Sequence, residues 1–172
     1  MRTIGVAVAV PEPYGEHLRA KRRSFGDPLA DAIPSHVTLI PPTAVTDEQL
    51  DDLVVVLDEV ATVMPSFTMS LRGTGSFRPV SPVVFVAVAE GISYTEMLAT
   101  AIREALALEE PEFPFHPHVT VAHHLDDDQL DVAAAELARF ECEFAVTEFS
   151  LYFHDDIEGW QPVRSFGLMP AV

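Results

Sequence analysis

The chain has 172 residues, 48% of them hydrophobic, with 27 acidic against 10 basic side chains and a formal net charge of −17. That length suits one core or two small lobes sharing one, and no apolar run reaches the roughly 18 residues of a membrane span. The charge repels polyanions, which argues against a protein that grips long RNA or DNA by its phosphates and leaves room for a nucleotide.

Residues 3–10 (TIGVAVAV) are valine-rich and stop at Pro11, the pattern of a strand. One basic residue precedes this short apolar run and no small-residue cleavage pattern follows, so it reads as a first strand, not a secretory leader. The single cysteine, Cys142, has no partner for a disulfide or a cysteine-based metal site. Together these features lead us to expect a cytoplasmic protein.

Residues 14–25 are expected to be helical and carry the one basic cluster, AKRRS. Residues 36–40 (HVTLI) read as a strand stopped by Pro41 and Pro42. Thr46 to Gln49 has the form of a capping box, followed by Leu50, Leu53, Val54, Leu57, Val60 and Ala61 at helical spacing. Residues 67–77 and 83–89 look like two strands joined by a turn at RPVSP. Ser93 to Glu96 has the form of a second capping box. Met97, Ala101, Ile102, Ala105 and Leu106 would be the buried stripe of its helix. A proline-rich loop then delivers HVTV (118–121), a helix begins near Asp126, residues 141–153 form a strand or a bent strand pair, and residues 164–168 are a last short strand.

His-Val-Thr occurs twice, at 36–38 and 118–120, and DEQLD (47–51) and DDQLD (127–131) follow the two copies. Each half reads strand, helix, His-Val-Thr strand, helix, strand. A period near 80 is too long for a solenoid and suits two lobes about a pseudo-twofold axis. We therefore expect a single bilobal domain over 1–172, with approximate half-repeats 1–78 and 79–172.

In a strand, residues i and i+2 share a face. His36 points with Thr38 and His118 with Thr120, while Val37, Leu39, Val119 and Val121 point into the core. Imidazoles titrate near neutrality, so of two facing rings one can take a proton while the other gives one. That suits in-line displacement at phosphorus, with the threonine hydroxyls donating to non-bridging oxygens. This chemistry calls for no cofactor and no metal.

HVTL and HVTV, in two half-repeats of this size, resemble the two-histidine (2H) phosphoesterase superfamily, which includes the 2′-5′ RNA ligase-like proteins and cyclic nucleotide phosphodiesterases. The C-terminal FSLYFHDDIEGWQPVRSFGL is similar to that family's closing strands. The resemblance implies an α+β fold of two pseudo-symmetric lobes, with antiparallel sheets flanking a central cleft and helices outside. It also implies metal-independent chemistry on 2′,3′-cyclic or 2′-5′ phosphodiester bonds. By matching position, His36 and His118 are the acid–base pair and Thr38 and Thr120 the phosphate donors. The expected partner is a nucleotide or a short RNA end, handled by a monomer; long nucleic acid and membranes are not expected partners.

Basic residues for a substrate phosphate are few. Arg78, on the turn before the second-half strand, is one candidate, and Arg22 and Arg23 are others. His116, His118, His123 and His124, with Asp126 to Asp128 nearby, raise the question of a metal site, but no HExxH helix or cysteine set supports one. Phe115, Tyr152 and His154 read as structural, and Trp160 as a lid on the core. Two other readings stay open: a nucleotide- or RNA-end-binding module without turnover, and a metal-dependent hydrolase.

Overall fold

A computed structural model describes residues 1–171. In chain order the elements are β1 (Arg2–Ala9), α1 (Tyr14–Ser24), β2 (His36–Val45), α2 (Asp47–Val63), β3 (Phe67–Ser76) and β4 (Val84–Glu90). They continue with α3 (Ile92–Ala105), β5 (His118–Ala122), α4 (Asp127–Glu136), β6 (Glu141–Val146), β7 (Glu148–Asp155) and β8 (Gly159–Gly167). The strands form two four-stranded antiparallel sheets, in the orders β2-β1-β7-β8 and β5-β4-β3-β6. The fold is α+β with two lobes, as the repeat and the family resemblance implied.

Each sheet draws on distant parts of the chain. β3 follows α2 but joins the second sheet, while β7 and β8 return to complete the first. Residue 78 therefore does not divide the sheets. The crossover helices reach across as well: α1 packs against β5 and α3 against β2. The edge strands β2 and β5, which carry the two His-Val-Thr segments, lie against one another. Val37, Leu39, Val119 and Val121 are buried in one hydrophobic core that spans both lobes. Among the described residues no helix is long and apolar enough to cross a membrane.

Four local readings are corrected. Pro41 and Pro42 do not end β2, which runs on to Val45. Ile4 pairs with Thr43 and Val6 with Ile40, so the two prolines stand opposite Gly5 alone in a bulge on an edge strand, where their missing N–H groups interrupt no ladder. Helix α3 starts not at a Ser93 cap but at Gly91, whose φ of 88° is open to glycine. The buried face of α3 is Thr95, Leu98, Ala99 and Ile102, and Met97 is exposed. Lastly, β8 begins at Gly159, five residues before the expected start. The Thr46 capping box forms as expected, with Gln49 N–H donating to Thr46 Oγ1 at 3.2 Å and Thr46 N–H donating to Gln49 Oε1 at 2.8 Å.

A buried ion pair fastens the α1–β2 connection to β5. Arg22 on α1 donates from Nε to Asp27 Oδ2 at 2.7 Å, with side-chain exposures of 7% and 0%. The same carboxylate oxygen accepts the backbone N–H of His123, just beyond β5, at 2.8 Å, and Oδ1 accepts that of Leu29 at 2.9 Å. Arg22 Nη1 leans on the Thr120 carbonyl at 3.5 Å. Removing one partner of a desolvated pair strands the other charge. Asp27→Ala is expected to lower unfolding stability by about 3–5 kcal/mol, read from urea denaturation.

Candidate active site

His36 and Thr38 are half-buried and alternate with buried Val37 and Leu39; His118 and Thr120 repeat the pattern on β5. Each motif threonine stands against the central strand of its sheet, Thr38 opposite Ala7 and Thr120 opposite Phe85. Among the described residues, no hydrogen bond engages either threonine hydroxyl, so both are free to donate to a ligand.

Both rings are oriented by the same device. His36 Nδ1 lies 2.6 Å from the Pro34 carbonyl, and His118 Nδ1 lies 2.6 Å from the His116 carbonyl. A carbonyl only accepts, so Nδ1 carries the proton in each ring and Nε2 is left as the free acceptor. Burial pushes the His36 pKa below the usual histidine value; the Pro34 hydrogen bond opposes this, and the charges of Arg22 and His118 add to it. Burial also lowers the His118 pKa, opposed by the His116 carbonyl and aided by the His116 ring. The two imidazoles thus lie within electrostatic reach of one another, and both favour the neutral form.

The cleft has unlike sides. Beside His36 and Thr38 is a cavity of about 190 Å³, lined among others by Gly5, Ala7, Tyr152 and Trp160. Beside His118 the space is packed with rings. Phe77 lies 4.8 Å from the His118 ring and 4.5 Å from Phe85, and His116 meets both phenylalanines edge-on.

The basic candidates are otherwise engaged. Arg78 donates to Asp131 at 2.9 Å and to Asp127 at 3.4 Å, so its guanidinium fastens α4, and it is neighbouring Phe77 that touches His118. Arg23 is held at the surface by Asp31. Arg22 serves the buried pair with Asp27. Phe115 packs on the core, as expected. His123 and His124 stack on one another at 3.9 Å in the loop after β5. Among the described residues, no three His, Cys, Asp or Glu side chains come together as metal ligands.

Trp160 and Tyr152, read as structural, also border the cleft. They line the cavity with His36. The signal was present in TIGVAVAV, where Gly5, Ala7 and Ala9 alternate with Ile4, Val6 and Val8. A strand face made only of small residues either lies open or is covered by a large neighbour. Trp160 covers this one: a Cβ on Gly5 would come within 3.1 Å of the indole.

The sequence profile of the 2′-5′ RNA ligase superfamily matches residues 10–158. The chain belongs to this superfamily of two-histidine phosphoesterases. The superfamily match spans both His-Val-Thr segments. A Bacillus cereus protein named "Putative phosphoesterase" is 30% identical over 167 residues, covering 96% of each chain. An Oceanobacillus iheyensis protein of the same description is 26% identical over 166 residues, covering 95% of this chain and 96% of its own. Escherichia coli LigT, solved in complex with 3′-AMP, shares the fold at TM-score 0.69 and 22% identity, over 97% of this chain and 98% of its own. TT0787 of Thermus thermophilus does so at 0.67 and 24%, over the whole of both chains.

Both motif imidazoles are expected to titrate below the ordinary histidine value of about 6.5, His36 and His118 alike. Their neutral forms are expected as the Nδ1–H tautomer. Ring ¹⁵N and ¹³C chemical shifts recorded across pH 4 to 8 measure both properties.

Proposed function

We propose that the chain is a metal-independent phosphodiesterase acting on the 2′,3′-cyclic phosphate or 2′-5′ phosphodiester of a nucleotide or short RNA end. The observation that carries this reading is the matched pair of carbonyl-anchored imidazoles on adjoining edge strands, each with a free threonine hydroxyl on the same face.

With Nδ1 tied to a backbone carbonyl, each ring presents Nε2 to the cleft. One neutral Nε2 takes a proton from the attacking water as its oxygen bonds to phosphorus. The other ring, protonated, gives its Nε2 proton to the ester oxygen as the P–O bond breaks. Thr38 and Thr120 hydroxyls donate to the non-bridging oxygens, whose charge grows in the transition state. Each strand holds its pair on a buried Val-Leu or Val-Val backing, so this geometry is fixed before substrate arrives.

Nucleotide recognition is supported by the complexes of E. coli LigT with 3′-AMP, NADP+ and ATP. The net charge of −17 favours a small substrate or a short end over a long strand. One copy of the chain supplies both histidines and both threonines, in keeping with a monomer.

His36→Ala and His118→Ala are each expected to lower kcat on 2′,3′-cyclic nucleotides by about 10²- to 10⁴-fold, with circular dichroism unchanged. Thr38→Val or Thr120→Val should cost on the order of 10²-fold. EDTA should leave the wild-type rate as it is. Full activity in either histidine variant overturns the reading.

The pH dependence follows from the lowered pKa values. The base must be neutral and the acid protonated, so the bell of kcat/KM is expected to centre on the acid side of about pH 6.5. Bound phosphate stabilises the protonated ring, so the kcat profile is expected to lie at higher pH than that of kcat/KM. Steady-state rates from pH 4 to 9 measure both.

A further inference from the structure

The two motif strands are equivalent in register, but their neighbours are not. On β1, Ala9 stands opposite His36 and Ala7 opposite Thr38. On β4, Ala87 stands opposite His118 and Phe85 opposite Thr120. Ala7 and Phe85 therefore hold the same place in the two halves. One step on, Gly5 pairs with Tyr152 on β7, and Phe77 takes the matching place beside Val83 at the end of β3.

These exchanges shape the cleft. On the first side the small residues leave the strand face low, and Trp160 lies directly on the Gly5 backbone at the cavity edge. On the second side the Phe85 ring lies down across Gly75, where a Cβ would come within 2.6 Å of it, and Phe77 closes over it. Phe85 is only 5% exposed. The first side has room for a flat ring and the second is already filled by flat rings.

We propose that the cleft is one-sided: a single nucleobase stacks against Trp160 in the cavity beside His36, and Phe85 denies a second base the equivalent place beside His118. This rests on the phosphodiesterase reading above and narrows it, from 2′-5′ linkages between two nucleosides to a terminal 2′,3′-cyclic phosphate. The cavity of about 190 Å³ has room for a base. Apart from His36 and Thr38, the hydrogen-bonding side chains that line it are Tyr152 and Trp160. Recognition is therefore mainly by stacking, which tolerates any base.

Trp160 is the only tryptophan in the chain, so the site reports on itself. Adenosine 2′-monophosphate should quench the tryptophan fluorescence of the wild type, and ribose 5-phosphate should not. Ala7→Phe, which copies the second side onto the first, should abolish the quench. This arm needs no turnover, so it stands or falls apart from the catalytic reading; absence of turnover on every substrate would sink only the latter. In kinetics, wild type should cleave 2′,3′-cyclic AMP and CMP with kcat/KM values within about tenfold of each other, and 2′-5′ ApA at least tenfold less well. Trp160→Ala should lower the ratio of kcat/KM for cyclic AMP to that for base-free ribose 2′,3′-cyclic phosphate by roughly 10- to 100-fold, and Trp160→Phe should restore most of it. Phe85→Ala should raise activity on ApA. No quench by adenosine 2′-monophosphate, an unchanged ratio in Trp160→Ala, or wild-type cleavage of ApA as fast as of cyclic AMP would each overturn the proposal.

Discussion

The cleft depends on β2 and β5 lying against one another, and the buried Arg22–Asp27 pair ties the segment that runs into β2 to the end of β5. Asp27 lies in the stretch leading to β2, yet one of its oxygens takes both the Arg22 guanidinium and the backbone N–H of His123 at the end of β5. Arg22 in turn lies behind Thr120. A two-sheet protein whose halves met only through apolar contact could slide, because dispersion has no direction. Two charges removed from water with defined partners resist sliding, since any shift leaves one of them unpaired. The cation does further work at a distance, for its field helps keep His36 neutral.

A second constraint is the pleat. One period-2 alternation does three jobs: it sends valine and leucine into the core, aligns histidine with threonine, and gives the neighbouring central strand a matching face. The duplicated halves keep all three. They diverge at the residue beside the motif threonine, which is alanine in one and phenylalanine in the other.

Much of this was legible in the chain. The two His-Val-Thr strands, the Thr46 cap and the four helices announce themselves through local spacing, which local physics enforces. What escaped was set by pairing. Pro41 and Pro42 look like strand breakers until β2 is seen to be an edge strand with a bulge opposite Gly5. Ser93 carries a capping pattern, but the positive φ of Gly91 starts α3 two residues sooner. Arg22 and Arg78 look like phosphate ligands in a chain poor in bases, and only the fold shows the carboxylates that engage them. Trp160 looks like a core lid because nothing near it in sequence says that β8 lies two strands from Gly5.

The closing strands also fix when the cavity can exist. Its floor comes from residues 5–7 and its aromatic wall from residues 152 and 160, joined by β1–β7 pairing across most of the chain's length. On the ribosome, a nascent chain stopped before β7 would hold both His-Val-Thr segments and all four strands of the second sheet, yet its first sheet would be two bare strands. Contacts of such long separation form late and slowly. The cavity side of the cleft is thus the last part to be built, after both His-Val-Thr segments have been translated.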